Sequence, residues 1–221
     1  MSGRSGTLSI WLRTWQLMLR HAVGSEASWW ILAGGLLTAL LLSGVSGVVT
    51  AIPSALVWTV PWALITGWPS SPVRKGLVAQ LELTWAGRGA TRIPELLLPT
   101  FLGTLLGILY CYLTGLYGVI YVPWQTYVII PFSALLASSA VLLVETRYVY
   151  RGRALLGILF AGQFLHDPGA VVAGILLMPG YTLYSLQWGN AAGTVIHGDT
   201  WMALSVFTGL VMVYFAGRFS K

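Results

Sequence analysis

The sequence predicts an all-α membrane protein, with six transmembrane helices and both the N- and C-termini cytoplasmic. Three observations predict it. Hydrophobic residues make up 57% of the 221 and charged residues only 8%, against about 25% charged in a soluble domain. A single water-soluble core has no room for that much apolar side chain, so lipid is the expected solvent. The charges are also segregated, because residues 27–73 and 96–144 contain no Asp, Glu, Lys or Arg. Finally, all 12 basic residues fall on one side when the loops are counted from an inside N-terminus.

The chain reads as one transmembrane domain over 1–221. Residues 1–26 form a cytoplasmic interfacial helix. Within it Leu8, Trp11, Leu12, Trp15, Met18, Leu19 and Ala22 recur at i, i+3, i+4, i+7 spacing, with Arg13, Gln16 and Arg20 opposite. Such a helix lies in the membrane interface, as an elbow before the first span. Residues 28–68 hold spans one and two at about 20 residues per crossing, with a Gly, Ser and Pro turn from Ser43 to Pro53. Residues 69–95 are the longest cytoplasmic excursion, where Leu77, Leu81 and Trp85 share a helical face before Gly87-Arg88-Gly89 breaks the helix. Spans three and four occupy 96–145 and fold back between Gly118 and Gln125. The fifth span, 154–184, is interrupted by His166-Asp167-Pro168-Gly169. It either kinks at Pro168 or breaks there, with the following segment re-entering from outside. Span six covers 200–217. No cleaved signal peptide is expected ahead of the first apolar stretch.

Orientation follows from the basic residues. Arg4, Arg13, Arg20, Arg74, Lys75, Arg88, Arg92, Arg147, Arg151, Arg153, Arg218 and Lys221 all lie in segments counted as inside. For short loops that bias sets topology. It also accounts for the net charge of +6 without nucleic acid, for which no basic patch on a soluble fold is present. The lone Cys111 excludes an internal disulfide and a multi-thiolate metal site. No cofactor is expected.

The segment carrying Glu82, Trp85, Arg88, Thr91, Arg92 and Glu95 suits docking on a soluble protein, its charges giving register and its apolar residues contact area. Glu82, the Gly89-Ala90-Thr91 turn and Glu95-Leu96-Leu97-Leu98-Pro99 stand in an order that resembles the membrane subunit of an ABC-type exporter of the type-2 permease class. Met178-Pro179-Gly180-Tyr181 before a Trp-headed last span is similar to that family's ending. Ile52-Pro53-x-x-Leu56-Val57-Trp58 looks most like the haem-exporter subunit of cytochrome c maturation. That subfamily's acidic stretch after span two is absent, with Pro72-Val-Arg-Lys-Gly in its neighbourhood. The resemblance implies a multi-pass protein of the bacterial plasma (inner) membrane, working as a homodimer or pseudo-dimer above two separate ATP-binding subunits. The chain has no Gly-x-x-x-x-Gly-Lys-Ser/Thr phosphate loop, so ATP chemistry would belong to the partner. Spans with so few ionisable groups favour a hydrophobic or amphipathic cargo.

Other motifs carry less. Gly44-Val-Ser46-Gly47 matches the Gly-x-Ser-Gly of rhomboid proteases, but that mechanism needs a His beside the Ser, and the sixth span has none. His21 and His197 fall at opposite sides of the membrane, which excludes a bis-His haem between them. His166 and Asp167 form a candidate intramembrane or external polar site. An ion-coupled carrier needs buried carboxylates, for which Asp167 is the sole deep candidate. A non-transporting assembly or scaffold subunit would have a sequence of the same kind. Gly103-x-x-x-Gly107 and Gly115-x-x-Gly118 allow close helix packing.

Overall fold

A computed structural model describes residues 3–46, 51–83, 89–118 and 124–147, together with five helical positions between 206 and 214. The described residues are helical, with no strand among them. Six helices follow in order: α1 (Gly3–Val23), α2 (Glu26–Ser46), α3 (Ala51–Ile65), α4 (Pro72–Leu83), α5 (Gly89–Leu116) and α6 (Trp124–Arg147). Two of them contain stretches long and apolar enough to cross a membrane, Arg92–Leu116 and Tyr127–Thr146. The segments expected as a fifth span and most of a sixth lie outside the described residues.

Helix α3 is the hub. It packs on α2, α5, α6 and α1, and its Val57, Trp58, Thr59 and Ile65 are all buried. Its Pro53 stands in the first turn, where a missing N–H has no intrahelical partner to lose. The expected Ser43–Pro53 turn is therefore shorter than the composition suggested, because α2 continues to Ser46 and α3 has begun by Ala51. Helix α6 is mostly interior, whereas α5 presents Phe101, Leu105, Leu109, Tyr112 and Leu116 outward in one stripe. A soluble monomer rarely leaves so long an apolar face uncovered.

The third apolar helix also starts earlier than expected. Instead of beginning at residue 96 it runs from Gly89, through Pro94 and Pro99, for 28 residues, about 42 Å. The segment 69–95 is thus two helices, α4 and the start of α5.

Helices α3, α5 and α6 meet at the first glycine pair. A Cβ on Gly107 would lie 3.1 Å from Ile130 Cγ2 and 3.3 Å from Val57 Cγ2, whereas one on Gly103 would find its neighbours at 3.5 Å or more. Ile130 and Val57 are fully buried and stiff at χ1. Gly107→Ala is therefore expected to cost about 1–3 kcal/mol by overpacking. Gly103→Ala has ordinary contacts and gains up to about 1 kcal/mol of helix propensity. Thermal unfolding of the two variants in detergent should separate them in sign, and equal midpoints would disprove the difference in clearance. The second glycine pair has another use. Gly118 is exposed and ends α5 at φ +64°, with its N–H donated to Gly115 O at 3.1 Å. It is a C-terminal cap of the left-handed kind.

Candidate functional site

The end of the bundle where α1, α4 and the start of α5 converge carries the polar chemistry. The chain leaves α3 through a tight reversal at Gly67, whose φ of +75° only glycine adopts freely. Trp68 follows, fully buried. Ser71 then caps α4: its Oγ accepts from Arg74 N at 3.4 Å, with Pro72 in the first helical position, where the absent N–H costs nothing. That cap sets the direction of α4 and so the position of Arg74.

Arg74 reaches Glu95 on α5. Its Nε donates to Oε1 at 2.7 Å and its Nη2 to Oε2 at 3.2 Å, a two-pronged pair. Trp68 Nε1 donates to the same Oε1 at 2.9 Å. Glu95 is 1% exposed. Three donors from two elements thus converge on one buried carboxylate, and charge-assisted forks of this kind are the strong class of side-chain hydrogen bond. His21 of α1 stands against Trp68, ring centroids 5.7 Å apart, and its Nε2 is buried with no partner among the described residues. A second tie joins α1 to α5, where Trp15 Nε1 donates to Pro94 O at 2.9 Å. The start of α5 is consequently clasped by α1 on one side and by α4 with the Trp68 turn on the other.

Helix α1 has three faces rather than two. Thr14, Met18 and Ala22 are buried against the bundle; Leu8, Leu12, Leu19 and Val23 form an exposed apolar strip; Arg13, Gln16 and Arg20 are exposed on the remaining side. The expected apolar face is therefore divided between the protein and its surroundings. Thr14 joins the inner face because its hydroxyl donates to Ile10 O at 2.9 Å, within its own helix.

No family model, curated protein or solved structure matches the chain.

Of the residues expected at a docking surface, the structure describes the side chains of Arg92 and Glu95. Glu95 is turned into the protein and tied to Arg74, not presented at the surface. Arg92 is half-buried and already engaged. Glu82 lies in the last turn of α4 and Thr91 in the first turn of α5, while Trp85 and Arg88 lie outside the described residues. His166 and Asp167 lie outside them as well. Arg74, Trp68 and His21 were not among the expected site residues. No local pattern in the sequence marks Arg74 as the partner of Glu95, which lies 21 residues further along the chain. Glu145 is also buried, in the last turn of α6, and is engaged.

Proposed function

We propose that the chain is the membrane-spanning subunit of an ATP-driven exporter, acting with a separate ATPase subunit. In this reading it crosses the bacterial inner membrane six times, as one half of a homodimer or pseudo-dimer, and moves a hydrophobic or amphipathic cargo. The observation that carries the reading is the clasp around Glu95. A short amphipathic helix, α4, is fastened by a buried ion pair to the base of a helix about 42 Å long. In such an arrangement ATP-driven closure of a partner beneath 82–95 displaces α4, and the Arg74–Glu95 fork passes the displacement to α5 rather than letting a loop absorb it. The one-sided distribution of Arg and Lys supports the orientation this requires.

The ion-coupled alternative is favoured less. A carboxylate that carries an ion must be free to change partners, and Glu95 is held by three donors; the expected carrier residue, Asp167, lies outside the described residues. A scaffold subunit would need the clasp only for stability.

Purifying the tagged chain from its host and identifying what co-elutes tests the proposal, with a nucleotide-binding subunit as the expected companion. Reversing Arg88 to Glu should release that companion while leaving the chain monodisperse. Co-elution of no ATPase would remove the exporter reading, and unchanged binding by Arg88→Glu would remove that position from the interface.

A further inference from the structure

Helix α1 sets three kinds of surface side by side. Thr14, Met18 and Ala22 face the bundle, and Leu8, Leu12, Leu19 and Val23 form the exposed apolar strip. At 3.6 residues per turn, Arg13 and Arg20 stand about 100° round from the centre of that strip and about 150° from the buried face. Both are exposed, and neither side chain has an ion pair or hydrogen bond among the described residues. The described carboxylates lie elsewhere. Glu95 is held by Arg74, Glu145 is buried and engaged, and Glu26, exposed at the start of α2, pairs with neither arginine.

We infer that Arg13 and Arg20 bind the headgroups of anionic phospholipids, the guanidinium of each meeting a phosphate. The order of the three surfaces points to this partner. With the bundle beside it and the apolar strip turned into hydrocarbon, α1 presents both arginines sideways, level with the surrounding headgroups. The side turned away from hydrocarbon, which a soluble protein would meet, carries Ile10 and Leu17 instead, both half-buried. The level of the helix is marked independently. Trp29 and Trp30 are exposed at the start of α2, and tryptophan favours the membrane boundary. Trp29 donates its indole N–H to Val23 O at 2.9 Å, which holds the end of α1 at that boundary. The arginines are two turns apart, about 10 Å along the helix, so each meets its own headgroup. A guanidinium matches phosphate oxygens with two prongs, and a headgroup without an ammonium of its own leaves that negative charge uncompensated. This rests on the membrane-spanning part of the proposed function and not on the ATPase.

The test uses the full chain in nanodiscs of equimolar phosphatidylethanolamine and phosphatidylglycerol, with the lipids it keeps on release read by native mass spectrometry. Preferential retention of phosphatidylglycerol is expected, weakening as salt is raised from about 50 to 500 mM. Arg13→Gln and Arg20→Gln should each lower the preference about fivefold, the scale of one basic residue at an anionic membrane surface. Lys75→Gln, which removes an exposed cation from α4, should leave it unchanged. Equal retention of the two lipids by the unsubstituted chain overturns the inference. So does a preference that survives Arg13→Gln and Arg20→Gln together, or one that falls as far with Lys75→Gln. A double variant that keeps its lipid ratio but loses a co-eluting ATPase would assign the arginines to a protein partner and overturn it equally. Carbonate extraction of the chain from native membranes would instead overturn the membrane reading on which it stands, and absence of an ATPase would touch neither.

Discussion

Arg74→Met is expected to lower the stability of the purified chain by about 3–5 kcal/mol, the range for removing one partner of a buried ion pair. At about 2–4 °C per kcal/mol for a chain of this size, the melting midpoint should fall by roughly 10 °C. The cause is the residue left behind. Glu95 is 1% exposed, and without Arg74 its carboxylate keeps only the Trp68 indole N–H of the three donors in the clasp. Adding Glu95→Gln should recover much of the loss, since a neutral amide beside Met leaves no buried charge. Arg74→Lys should fall between, because a point charge cannot reproduce the fork that meets both carboxylate oxygens. A midpoint that moves by only a degree or two with Arg74→Met would place the pair in the surface class, worth about 0–1 kcal/mol, and would remove its role as a mechanical joint.

The same pair marks where sequence reasoning stopped. The helices were legible because charge-free runs can be seen in the chain itself, and α1 was legible because its apolar residues recur at helical spacing. The facing of Glu95 was not. Its partner is 21 residues away in the chain, on a helix whose direction is set by the Gly67 reversal and the Ser71 cap. No local period records that geometry, so a carboxylate near two arginines read as a surface charge. Arg88 and Arg92 are the basic residues nearest to it in the chain; Arg74 is the one that pairs with it.

Helix α1 shows the converse limit. Periodicity gives one apolar face, but it does not say how much of that face meets protein. The apolar face given by the spacing contains Leu8, Leu12 and Leu19 and does not contain Thr14. The structure buries the threonine and exposes the leucines, because the bundle touches the helix off the centre of its apolar arc. The glycine pairs divide similarly: the same small-residue spacing serves packing at Gly103 and Gly107 but a helix end at Gly118.

Two tryptophans turn these differences into unequal expected losses. Trp58 and Trp68 are both 0% exposed, so truncating either to Ala should cost about 3–5 kcal/mol through lost burial and the cavity left behind. Replacement by Phe separates them. Trp68 donates its N–H to Glu95, and losing a hydrogen bond to a charged group costs about 1.5–3 kcal/mol. Trp58 Nε1 is buried with no partner among the described residues. Trp58→Phe removes an unmatched donor along with some volume, so its midpoint should change by no more than a few degrees. Trp68→Phe should lose clearly more, and should lose little once Glu95→Gln is also present, because the two residues act as one unit. Parallel melting curves of the unsubstituted chain, Trp58→Phe, Trp68→Phe, Glu95→Gln and the Trp68→Phe/Glu95→Gln pair decide the matter. Equal losses for the two Phe variants would mean that ring volume alone sets both, and that the indole N–H on Glu95 adds nothing to the clasp at the base of α5.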